Sequence, residues 1–69
     1  MSSATYVALV PAPHRDRLRQ ILTAEDTGPL SWREDRKSKF SEFYFCGPPA
    51  LARKTHTYVA NWLMRRRLA

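Results

Sequence analysis

The apolar positions of this chain fall into separate runs with different spacings, and each spacing predicts an element. Ala4 to Val10, ATYVALV, is a short apolar run with the β-favouring residues Tyr and Val, which reads as a strand buried on at least one face. Pro11 and Pro13 break that run, and Pro13 suits the first turn of a helix. Leu18, Ile21 and Leu22 then follow at the i, i+3, i+4 spacing of one helical face, with His14 and Glu25 at the edge of the stripe. Arg15 and Arg19 sit one turn apart on one flank of this helix, and Arg17 projects from the other. The tripeptide Thr27 to Pro29, TGP, stops it.

A hairpin pattern comes next. Leu30 and Trp32 alternate with Ser31 and Arg33, while Phe43 and Phe45 share one face of the following strand and Phe40, Glu42 and Tyr44 take the other. The turn falls within EDRKSK, which lacks glycine and any Asn-Gly pair, so a loop of about four or five residues is expected. GPP ends the hairpin, and a long helix is expected from about Pro49 to Arg67. Leu51, Thr55, Tyr58, Val59 and Trp62 form its stripe, Ala52 and Leu63 flank the stripe, and Met64 and Leu68 lie on the far side. The residues that fit these periods, and so the expected core, are Leu18, Ile21, Leu22, Trp32, Phe43, Phe45, Tyr58 and Trp62.

The order β-α-β-β-α over residues 1–69 predicts a single small α+β domain, a three-stranded sheet with two helices packed on one face. A right-handed crossover through the first helix can set the first strand parallel to one of the hairpin strands. The element order resembles a ferredoxin-like unit without its final strand, a resemblance that carries no function with it.

Composition narrows the chemistry. The chain has 69 residues and eight aromatic side chains, ample for a core, although a chain this short buries only about 60% of its unfolded surface. Partnering is a common source of stability at this size. Cys46 is the only cysteine, so no internal disulfide forms, and with His14 and His56 it completes the set of nitrogen and sulfur ligands, too few for a structural metal site. Gly28 and Gly47 are the only glycines, so no glycine-rich phosphate loop exists, and no cofactor is expected. Cys46, just before the long helix, is the one candidate nucleophile. No sequence argument brings a base to it, and an enzyme is not expected. No apolar run approaches the ~18 residues of a membrane span, and the opening segment lacks a positively charged leader, so a cytoplasmic location without membrane contact is expected.

Charge changes the picture most. Twelve Lys and Arg against six Asp and Glu give a net charge of +6. Ten of the cations lie in three clusters: Arg15, Arg17 and Arg19; Arg33, Arg36, Lys37 and Lys39; and Arg65, Arg66 and Arg67. This footprint suggests a binding module that grips DNA or RNA with Arg36, Lys37 and Lys39 on the hairpin tip and Arg15, Arg19, Arg65, Arg66 and Arg67 on the helices. Glu34 and Asp35 offset part of the tip's field. The alternative is a protein-interaction module, homodimeric or docked on an acidic partner, that uses Phe40 and Tyr44 on the open sheet face together with Met64 and Leu68.

Overall fold

Alternation along the segment Phe40–Gly47 decides which side of the sheet is covered. Ser41, Phe43 and Phe45 are fully buried, whereas Phe40, Glu42, Tyr44 and Cys46 between them are only half-buried. In the structure, a computed structural model that describes residues 2–25 and 27–68 and the side chains of all of these up to residue 66, this segment is β3. The other elements are β1 (Ala4–Pro11), α1 (Ala12–Ala24), β2 (Ser31–Arg36) and α2 (Pro49–Leu68). The result is an α+β fold in which α1 and α2 share one face of a three-stranded sheet.

The strand order is β1-β3-β2, and both outer strands are antiparallel to β3. β1 and β2 therefore run in the same direction but never pair, because β3 lies between them. The parallel relation expected from the crossover holds as a direction and not as a ladder. Composition explains the choice of centre. β3 is apolar and profits from pairing on both sides, whereas four of the six residues of β2 are charged and tolerate an edge.

The loop joining β2 to β3 spans residues 37–39, shorter than the expected four or five. The Lys37 amide donates to the Phe40 carbonyl at 2.8 Å. Arg15, from α1, donates Nη1 to the carbonyl oxygens of Lys37 at 2.5 Å and Phe40 at 3.3 Å. A tight turn without glycine is thus held by a donor from another element. The Ala12 amide also donates to the Lys39 carbonyl at 2.9 Å, which ties the start of α1 to the same loop. At the opposite end, Gly28 takes a φ of +60° in the turn where the Leu30 amide donates to Thr27. Gly47 lets the end of β3 approach that turn, since a Cβ there would stand 3.2 Å from the Leu30 Cα.

The core comprises Ala8, Val10, Leu18, Leu22, Leu30, Phe43, Phe45, Ala52 and Val59, with Tyr6, Trp32, Leu51, Trp62 and Leu63 packed half-buried against it. Two expected core residues stand outside it: Ile21 is half-buried at the rim, and Tyr58 is 46% exposed while its neighbour Val59 is fully buried. Of the expected stripe of α2, Leu51, Val59 and Trp62 face the core, and Tyr58 falls at its rim. Underneath, α2 packs on β1, whose core-facing residues Ala8 and Val10 are buried. Ala52 and Val59 allow a close approach there, and Tyr58 is turned into the cleft beside Ile21, Leu22 and Leu51.

Truncating Phe45 to alanine is expected to cost about 3–5 kcal/mol of unfolding free energy, and Tyr58→Ala under about 1 kcal/mol. Urea melts of the two variants check this, and a larger loss for Tyr58→Ala would place the helix register where the sequence pattern alone put it.

Candidate nucleic-acid interface

The alternation of β2 sends Trp32, Glu34 and Arg36 toward the helices and Ser31, Arg33 and Asp35 to the open face. Glu34 is therefore a carboxylate on the covered side, its side chain only 5% exposed. It accepts hydrogen bonds from Ser41 Oγ at 2.5 Å, Arg36 Nε at 3.1 Å and Arg19 Nη1 at 3.3 Å. Arg36 in turn donates Nη2 to Asp16 Oδ1 at 2.7 Å. One carboxylate thus ties β2 to α1 and to β3. Burial pushes the Glu34 carboxyl up, but the hydrogen bonds from Ser41 and Arg36 and the charges of Arg36 and Arg19 outweigh it and hold it below the ordinary range. The hydrogen bond and charge of Arg36 likewise lower the Asp16 carboxyl, and Asp16 and Glu34 raise the Arg36 guanidinium.

This network reassigns three of the residues expected to face a polyanion. Arg36 points back to α1 rather than outward from the hairpin tip, Arg19 bonds Glu34, and Arg15 bonds the loop carbonyls. The reason is that a buried carboxylate and a glycine-free turn both require donors, and these arginines are the ones within reach. Lys37 pairs with Asp35 at 3.1 Å, and that hydrogen bond raises its ammonium. Among the described residues, the side chains of Lys39 and Arg65 have neither an ion-pair nor a hydrogen-bond partner, and both are exposed. Arg66 lies over the Trp62 ring at 4.8 Å and donates Nε to His14 Nδ1 at 3.3 Å. The side chains of Arg67 and Leu68 lie outside the described residues.

The three clusters nevertheless meet. Arg66 of α2 touches His14 of α1, the next residue, Arg15, touches the loop at Lys37, and Asp16 holds Arg36. The end of α2, the start of α1 and the β2–β3 loop thus occupy one end of the fold. The first turn of α1 there has no acid and no side-chain cap.

The open sheet face is ordered in rows set by the register: Thr5, Cys46, Ser31; Val7, Tyr44, Arg33; Leu9, Glu42, Asp35; and Pro11, Phe40. Phe40 and Tyr44 lie on this face, and Met64 is exposed on α2. The Arg33 guanidinium sits 4.0 Å from the Tyr44 ring centre, and the Tyr44 hydroxyl donates to Glu42 Oε1 at 3.2 Å, which raises its phenol. The ring face of Tyr44 is therefore covered by an arginine and flanked by carboxylates. Two residues of this face, Val7 and Leu9, were hidden in the sequence, because ATYVALV is apolar at every position but Thr5 and gives no clear alternation to read.

Cys46 lies half-buried between Thr5 and Ser31, and Ser31 Oγ donates to its carbonyl at 3.3 Å. His14 packs on Trp62 and Arg66, and His56 on Tyr6 and the Val7 carbonyl. Among the described residues no group of three metal-ligating side chains comes together, and no helix is long and apolar enough to cross a membrane.

The lowered carboxyls make stability depend on pH in a defined sense. Glu34 and Asp16 stabilise the fold above the ordinary carboxyl values, about 4, and that contribution is lost as pH falls through their lowered folded values. Urea stability is expected to be level near neutral pH and to decline as pH falls below about 4. Glu34→Gln is expected to cost about 1–3 kcal/mol at neutral pH and to flatten the acid limb. An acid limb as steep as in the parent chain would contradict the network.

Compared with known proteins, the chain matches no family model, no curated protein and no solved structure.

Proposed function

We propose that the protein is a non-enzymatic module that binds nucleic acid through its phosphates, at the end of the fold where the start of α1, the β2–β3 loop and the end of α2 meet. The observation that supports this reading is the chain of contacts from Arg66 through His14 and Arg15 to Lys37, which gathers clusters far apart in sequence. A net charge of +6 supplies the long-range attraction. Lys39 and Arg65 have no side-chain partner to lose on turning to a phosphate, and Lys37 and Arg66, whose exposed contacts are weak, join them. The first turn of α1, which carries no acid, adds a favourable field for an anion beside them. Base stacking on the open face is a poor fit, because Arg33 covers Tyr44 and Glu42 and Asp35 bring negative charge to that face. Such a module would suit the cytoplasm, where an unpaired thiol such as that of Cys46 stays reduced.

A second reading, protein interaction, rests on a different observation: Val7 and Leu9 are 44% and 61% exposed on the open face.

The two readings separate in a salt titration. Binding to a labelled DNA or RNA oligonucleotide is expected to weaken steeply with salt. Lys39→Ala with Arg65→Ala is expected to reduce the slope of log affinity on log salt by about 2, at roughly 0.9 for each duplex phosphate no longer neutralised, without moving the melting temperature. Arg36 is unsuited to this test because its loss disturbs the fold as well. Absence of retardation at low salt would end the nucleic-acid reading and leave protein interaction.

A further inference from the structure

The two edges of the sheet differ in a way that specifies an occupant for one of them. β2 carries Arg33, Glu34, Asp35 and Arg36 in its six residues, a charged edge of the kind that resists strand addition. β1 has eight residues and not one charged side chain. Its backbone polarity follows from the ladder. The Ala12 amide bonds Lys39, so the even-numbered residues of β1 face β3, and Thr5, Val7 and Leu9 direct their amides and carbonyls outward. Pro11 falls in the same outward set, where a missing amide costs the ladder nothing. Among the described residues, the Val7 carbonyl is the outward group with a partner on α2, His56 Nε2 at 3.1 Å, and a carbonyl oxygen has a second lone pair to offer.

We propose that β1 pairs antiparallel with β1 of a second copy of this chain, about a two-fold axis at Val7, and joins the two sheets into one of six strands. The register is self-complementary, as a two-fold interface requires. Val7 faces Val7 of the second copy, Thr5 faces its Leu9 and Leu9 faces its Thr5, so every outward amide from Thr5 to Leu9 finds a carbonyl. On the open face, the exposed side chains of Val7 and Leu9 become neighbours across the new ladder and lose water contact. Charge argues for a second copy rather than an acidic segment of another protein, since β1 presents no cation to such a segment. It also permits the pairing of two copies of charge +6, because the antiparallel arrangement sends the two basic ends in opposite directions. Each basic end lies beyond Pro11, and the two Pro11 residues stand roughly 27 Å apart along the strands, several Debye lengths at physiological salt. This pairing is independent of what the basic end binds.

Sedimentation equilibrium of the chain across micromolar to near-millimolar concentration tests the proposal, with the His56 imidazole resonances as a local reporter. The mass is expected to approach twice the monomer value, and the His56 signals to shift with concentration. Leu9→Pro removes an outward amide without breaking a bond to β3, and Leu9→Lys places a charge on the bare edge. Each is expected to raise the dimer dissociation constant at least about tenfold, with the far-ultraviolet circular dichroism retained. If Leu9→Pro disturbs the strand, Leu9→Lys decides, since Leu9 is on the surface of the monomer. A parent chain that stays monomeric would overturn the proposal, and so would a dimer that neither substitution weakens.

Discussion

The buried carboxylate of Glu34 is the constraint from which the arrangement of charge follows. A carboxylate on the covered side of a sheet is costly unless donors surround it, and here Ser41, Arg36 and Arg19 do so. Meeting that demand brings α1 against the hairpin with its arginine flank inward. Arg36, once turned toward Glu34, reaches Asp16, and Arg15 falls beside the carbonyls of the β2–β3 loop. The same contacts hold the loop, the start of α1 and, through His14, the end of α2 together. Packing, turn geometry and the gathering of positive charge at one end thus share one cause.

A consequence is a division of labour among cations that look alike in the sequence. Arg15, Arg19 and Arg36 bond other elements of the domain, whereas the side chains of Lys39 and Arg65 are left to the solvent. The sheet shows a comparable division between its edges. β2 is guarded by charge, and β1 by little more than Pro11 and the reach of His56. In a domain whose single core is small, an uncharged edge and a charged end are the two places where further contacts can be added, and the proposed dimer and the proposed phosphate site use one each.

Much of the fold was legible because periodicity reports burial directly. The alternation of Phe43 and Phe45 against Phe40, Glu42 and Tyr44 gave the two faces of β3, and Leu18 with Leu22 gave the buried side of α1. Tyr58 misled because it and Val59, about a hundred degrees apart on the helix, both fit the expected stripe, and packing against the sheet, which no local pattern can announce, buries only Val59. The roles of Arg15, Arg19 and Arg36 were illegible for a related reason. Their partners Lys37, Glu34 and Asp16 lie fifteen or more positions away, so a cluster on paper became a set of internal ties. The exposure of Val7 and Leu9 was hidden by a strand apolar on both faces. The residues that gather at the basic end were all visible, and their convergence was not.

The sorting of the arginines is the claim on which the reading of the basic end stands, and it can be observed one side chain at a time. Nitrogen-resolved NMR of the guanidinium groups, in the free protein and during titration with an oligonucleotide, reports restricted rotation and contact at each arginine separately. The account predicts slowed rotation for Arg15 and Arg36 in the free protein, unchanged on titration, and free rotation for Arg65 that slows as nucleic acid binds. A freely rotating Arg36 in the free protein, or signals of Arg15 and Arg36 that respond to nucleic acid before that of Arg65, would contradict it.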